Sequence, residues 1–112
     1  MEKKENILYI LWTTGEKLTF QNMISLYTCN AVSKWDTIDV IIWGASTKLA
    51  GEDEDVQKGI TKMLEKGIVI EACRACADKL KVSDKLKYLG VTVKYMSGLT
   101  GYLKSDNRFI TI

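Results

Sequence analysis

The chain predicts an α/β domain built around a mostly parallel β-sheet. Three observations lead there: short, nearly continuous apolar runs of strand length, amphipathic segments at helical spacing between them, and glycines closing many of these segments. At 112 residues, a single domain over 1–112 with one unstapled core is expected.

Asn6-Ile-Leu-Tyr-Ile-Leu-Trp12 is the first strand, bounded by a charged start and by Thr13-Thr-Gly15. An almost unbroken apolar run suits a strand covered on both faces, as in parallel sheets. The segment after it carries Phe20, Met23, Ile24, Tyr27 and Ala31 at helical spacing, a face able to lie on the sheet. Leu18, Cys29 and Val32 fall near the opposite side, so this helix reads as apolar twice over. Asp36-Thr-Ile-Asp-Val-Ile-Ile-Trp43 is the second strand and ends at Gly44. After a loop to Gly51, the carboxylates of Glu52-Asp-Glu-Asp55 suit the first turn of a helix, where the dipole favours negative charge. Val56, Ile60, Met63 and Leu64 form its apolar stripe, and Gly67 ends it.

Ile68-Val-Ile70 begins the third strand, which runs into Glu71-Ala-Cys-Arg-Ala-Cys-Ala-Asp78 and a short helix. Ser83 is placed to cap another helix, with Leu86 and Leu89 inward and Gly90 at its end. Val91, Val93 and Tyr95 alternate as a fourth strand. A helical turn is expected over 99–104, and Phe109-Ile-Thr-Ile112 is the fifth strand. Ligands of open α/β sheets bind outside the carboxyl ends of the strands. That rim should gather Thr13, Thr14, Gly15, Gly44, Ser46, Thr47, Cys73, Cys76, Met96 and Ser97.

Composition narrows the chemistry. A formal charge of +2, dispersed along the chain, gives no footprint for nucleic acid or an anionic membrane. No apolar run approaches the roughly 18 residues of a membrane span. Met1-Glu-Lys-Lys-Glu5 carries no secretory cleavage signature. The three cysteines do not make a secreted disulfide framework, so a reducing cytoplasm is expected. Because the chain has no histidine, Cys–His and Ser–His nucleophile pairs are excluded.

Cys73 and Cys76 admit several chemistries. A structural zinc site needs four ligands, and Cys29 is the only other thiol, on a different type of element. A thioredoxin-like disulfide would follow the first long strand and face a cis-proline; this pair follows the third, and the chain has no proline. Metal and thioredoxin chemistry are therefore disfavoured. A third possibility is a nucleophilic thiol that accepts sulfur as a persulfide. The first turn of a helix offers unpaired N–H groups and a positive dipole end, both favouring the thiolate, and Arg74 adds a cation. Cys76, one turn later, lies on roughly the same side and can form a disulfide that releases the sulfur as sulfide. The fourth is simple packing, since cysteine often serves as a small buried hydrophobe.

In these same stretches the chain resembles the DsrE/DsrF-like family of small sulfur-metabolism proteins. The similarity runs through Val40-Ile-Ile-Trp-Gly44, residues 56–67, Ile68-Val-Ile-Glu-Ala-Cys-Arg-Ala-Cys-Ala-Asp-Lys-Leu80 and Leu89-Gly-Val-Thr-Val-Lys-Tyr95. The resemblance implies a three-layer α/β/α domain with a five-stranded parallel sheet, a homotrimer or homohexamer, and a cytoplasmic location. It also implies a relay cysteine just after the third strand, the position of Cys73, with Cys76 as the second thiol of a two-cysteine subgroup. Sulfur-donor or acceptor proteins are the implied partners, and no cofactor is called for. The expected activity is that of a sulfur carrier or sulfurtransferase; the competing expectation is a ligand- or protein-binding module whose thiols sense redox state without turnover.

The remaining rim residues divide between structure and contact. Thr13-Thr-Gly15 can bind an anion or be a tight turn; it lacks the phosphate-loop lysine. Gly44 and Ser46, with Thr47, can meet an anion or a persulfide, or shape a loop. Trp12 and Trp43 can wall a pocket or pack. Glu52-Asp-Glu-Asp55 is capping charge in preference to a metal cluster. The second apolar side of the first helix predicts self-association independently of family.

Overall fold

A computed structural model describes residues 5–112; the charged opening at 1–4 lies outside the described residues. Five strands form one all-parallel sheet: β1 (Ile7–Trp12), β2 (Thr37–Ile42), β3 (Val69–Cys73), β4 (Thr92–Lys94) and β5 (Arg108–Thr111), in the order β4-β3-β2-β1-β5. The helices are α1 (Lys17–Thr19), α2 (Leu26–Ala31), α3 (Ala45–Glu52), α4 (Glu54–Glu65), α5 (Arg74–Lys79), α6 (Ser83–Leu89) and α7 (Leu99–Lys104).

The strand order decides which face each helix covers. From β1 to β4 the chain steps in one direction, so right-handed crossovers put α1 to α6 on one face. The return from β4 to β5 runs the other way and carries α7 to the opposite face. Three layers result, and they are unequal. Leu8, Ile10, Trp12, Ile38, Val40, Ile42, Ile70 and Ala72 point to the first face, where Phe20, Ile24, Ile60, Met63 and Leu86 close the main core. Alternation sends Tyr9, Asp39, Ile41, Glu71, Cys73 and Lys94 to the second face. Among the described residues, only the 95–107 connection, with α7, is available to cover it.

Several expectations are refined. Between α1 and α2 the backbone passes through a π-helical stretch, Phe20–Ser25, whose wider turns rotate the apolar face. Phe20, Ile24, Thr28 and Ala31 face inward, whereas Met23 and Tyr27, expected inside, are exposed. Cys29 and Val32 pack against the core instead of forming an outer stripe, and Leu18 stays exposed. Ser83 opens α6 but caps nothing there; its hydroxyl donates to Asp78 Oδ1 at 2.5 Å. Asp53 caps α4 by accepting from the Val56 N–H at 3.0 Å, and Lys17 bridges Asp53 and Asp55. Asp53, Glu54 and Asp55 thus serve the start of α4, whereas Glu52 ends α3, a helix that occupies the stretch expected as a loop. Gly90 ends α6 at φ 105°, a conformation that favours glycine.

Candidate functional site around Cys73

β3 delivers Cys73 to the carboxyl edge of the sheet, where it is both the last strand residue and the N-cap of α5. The short helix that follows presents its first N–H groups to the sulfur: those of Ala75 and Cys76 interact with Cys73 and favour the thiolate. Burial opposes them. Cys73 is only 5% exposed, and burial, joined by the neighbouring Cys76 thiol, pushes its thiol above the ordinary cysteine range despite the backbone donors. The expected helix-end activation is present but overridden in the resting chain. Cys76 is half-buried one turn on and interacts with the Cys73 thiol; all three cysteines are free.

Arg74 does not turn toward the sulfur. Its guanidinium lies 5.4 Å from the Tyr95 ring centre, and its Nε is 3.5 Å from Asp78 Oδ2. The Thr13-Thr-Gly15 segment is tied to the end of the chain: Thr13 N–H, Thr14 N–H and the Thr13 hydroxyl all donate to the Ile112 carbonyl. Ser46 is fully buried, and its hydroxyl donates to the Trp12 carbonyl at 2.5 Å while accepting from the Trp43 N–H. Gly44, at φ 69°, makes the sharp turn into α3 and is exposed. Trp12 belongs to the core, stacked on Phe20 at 4.6 Å, and Trp43 is half-buried at the rim.

The structure also assembles a polar cluster on the sheet face that carries Cys73. Glu71, two residues before Cys73, is 5% exposed; its Oε1 lies 2.5 Å from Lys94 Nζ. Lys94 is the cross-strand partner of Cys73. Tyr102 of α7 reaches down to the pair, accepting from Lys94 Nζ at 3.1 Å and donating to the Glu71 carboxylate at 3.0 Å. Its ring stacks on Tyr9 at 4.5 Å. Asp39, next to Glu71 and 7% exposed, has its carboxyl pushed up to about 8 by burial and by the neighbouring carboxylate. It holds a proton at neutral pH, and its Oδ1 has no hydrogen-bond partner among the described residues. The Glu71 carboxylate in turn holds Lys94 well above the ordinary ammonium range.

Reading the sequence residue by residue misses this cluster. One signal was available: Asp39 and Glu71 are the lone charges inside otherwise apolar strands, where a buried carboxylate needs a partner. Among the described residues no group of three acidic, cysteine or histidine side chains is placed to hold a metal ion. No helix among them is long and apolar enough to cross a membrane.

Comparison with known proteins agrees with this architecture. A conserved protein of unknown function from Bacteroides thetaiotaomicron, BT1422, has a solved structure 43% identical to this chain; the match covers 96% of this chain and 95% of that one, with a TM-score of 0.92. The YchN protein of Escherichia coli shares the fold at a TM-score of 0.67 and 13% identity, over 97% of this chain and all of that one. No functionally curated protein matches. The profile of the DsrE/DsrF-like family matches residues 16–112, which takes in both helical layers, all of β2 to β5 and the cysteine pair. The chain belongs to the DsrE/DsrF-like family.

Proposed function

We propose that this protein carries sulfane sulfur, accepting it on Cys73 as a persulfide and passing it to another thiol, with Cys76 as the partner sulfhydryl. Family membership supports a role related to sulfur relay. The observation that carries the assignment to this site is the seat of Cys73. It stands at the carboxyl edge of the sheet with two backbone N–H groups on its sulfur and a second thiol one helical turn away.

In the transfer step the Cys73 thiolate attacks the outer sulfur of a donor persulfide. A Cys73 S–S bond forms, the donor S–S bond breaks, and the donor leaves as a thiolate with no net redox change. Release follows by one of two routes. An acceptor thiolate takes the outer sulfur, or Cys76 attacks Cys73 Sγ, forming a Cys73–Cys76 disulfide and expelling hydrosulfide. A dithiol reductant is then needed to restore the pair. Burial has a use in this scheme, because a persulfide screened from solvent is protected from stray thiols and oxidants.

Self-association is part of the proposal. Met23, Leu26, Tyr27 and Ile110 are exposed around an apolar groove of about 520 Å³ between the π-helical stretch and β5. A second copy of the chain covers this strip in a homotrimer or homohexamer. A reducing cytoplasm suits three free thiols.

The sulfur assignment is tested by incubating the protein with a persulfide donor and measuring intact mass. Each sulfur adds about 32 Da to the thiol that holds it. Cys73→Ser loses the adduct, and Cys76→Ser keeps it longer than wild type. An adduct that survives Cys73→Ser overturns the assignment.

A further inference from the structure

A thiolate on the second face of the sheet needs a counter-charge, and no histidine exists to supply one. The candidates from every element around Cys73 can be named. β1 contributes Tyr9, β2 Asp39, β3 Glu71, β4 Lys94, α7 Tyr102, and α5 Arg74 and Cys76. Arg74 is engaged with Asp78 and Tyr95. Lys94 is the cation of this set that register places on the same sheet face as Cys73. It is paired with Cys73 across the β3–β4 ladder, and neighbouring strands lie only ~4.8 Å apart. Glu71 lies on the same face as Cys73, about 6.6 Å along the strand. The Lys94 side chain is 42% exposed, so it retains freedom to move, while Glu71 beneath it is buried.

We propose that Lys94 is the counter-cation of the Cys73 thiolate and persulfide, an ammonium shared between Glu71 at rest and the sulfur when it ionises. The inference rests on the sulfur-carrying role proposed above and adds the residue that makes the buried sulfur ionisable. The thiol proton leaves to water at the rim, and Lys94 then bridges the Glu71 carboxylate and the sulfur anion. Asp39 is a positioning residue in this arrangement. Because it stays protonated at neutral pH, the carboxyl pair carries one negative charge, and Lys94 is neutralised once instead of being outweighed. Tyr102, bonded to both Lys94 and Glu71, holds the ammonium on this face.

Glu71 and Lys94 therefore act on the sulfur in opposite directions, which a merely structural pair does not do. The test is the pH profile of Cys73 alkylation and the thiolate absorbance, measured in a Cys29→Ser/Cys76→Ser background. Lys94→Met is expected to slow alkylation at neutral pH about tenfold, one pH unit of midpoint, whereas Glu71→Gln speeds it by a similar factor. Lys94→Arg, which keeps the charge, stays within about threefold of the parent on the same scale. Since Lys94→Met strands a buried carboxylate and can fail to fold, Glu71→Gln is also compared with Glu71→Gln/Lys94→Met, where only the cation differs. Equal profiles in that comparison overturn the proposal. A Lys94-dependent profile without any sulfur adduct in wild type removes the sulfur-carrying role and leaves the counter-cation standing.

Discussion

Tyr102 lies flat against Tyr9, ring centres 4.5 Å apart and planes 12° from parallel, while its hydroxyl bonds to Glu71. One side chain thus fastens α7 both to β1 and to the cluster beside Cys73. No residue of α7 is itself buried, so little else holds this helix to the sheet. Tyr102→Phe keeps the stack and loses the hydroxyl, for an expected cost of about 1–2 kcal/mol, because the bond reaches a carboxylate. Tyr102→Ala loses both, at about 3 kcal/mol. Urea denaturation measures the two costs, and hydrogen exchange should show α7 losing protection before the main core. Uniform loss of protection would mean that α7 is not a separate unit.

Asp39 makes stability depend on pH in an unusual direction for an acid. Its native carboxyl holds a proton up to about 8, whereas an unfolded aspartate releases it near ~4. The native state binds more protons across that window, so this contribution is complete below ~4 and is lost as pH rises to about 8. The slope is at most ~1.4 kcal/mol per pH unit. Asp53, held low by the Val56 N–H, and Asp78, held low by the Ser83 hydroxyl, have the opposite sign and act only in acid. Denaturation midpoints between pH 5 and 9 should therefore fall with pH in wild type and flatten in Asp39→Asn. A wild-type profile already flat would show that Asp39 is ionised throughout.

Leu26 stands 56% exposed at the centre of the apolar strip on the first helical segment. Leu26→Glu places a charge where a second copy is proposed to pack, a position at which burial without a partner is costly. Light scattering at micromolar concentration should find wild type as a trimer or hexamer and Leu26→Glu as a monomer. The variant should keep wild-type circular dichroism, because Leu26 contributes nothing to the main core. A monomeric wild type would leave the strip without this role.

Much of this molecule is legible from the order of its residues. Apolar runs such as 6–12 and 36–43 mark strands because a strand covered on both faces has no polar side to show. The Asp53 cap and the glycine at position 90 punctuate helices through local chemistry. Cys73 at the end of β3 follows from the same local signals. A fixed helical period places Met23 and Tyr27 inside, whereas the π-helical stretch widens the turn and leaves both exposed.

The sequence alone determined the five strands, most of the helices, the mostly parallel arrangement, the position of the cysteine pair and the family resemblance, since each rests on neighbours a few residues apart; α3, where a loop to Gly51 is expected, it did not. Tertiary structure decided the environment of the sulfur. Asp39, Glu71, Lys94 and Tyr102 come from four separate elements, and only strand order and register bring them to one face. Whether Cys73 rests as a thiol is likewise a contest between local N–H groups and burial by distant parts of the chain. The thiol form prevails in the resting protein because burial penalises the anion and the adjacent Cys76 thiol adds to that penalty, against two backbone donors.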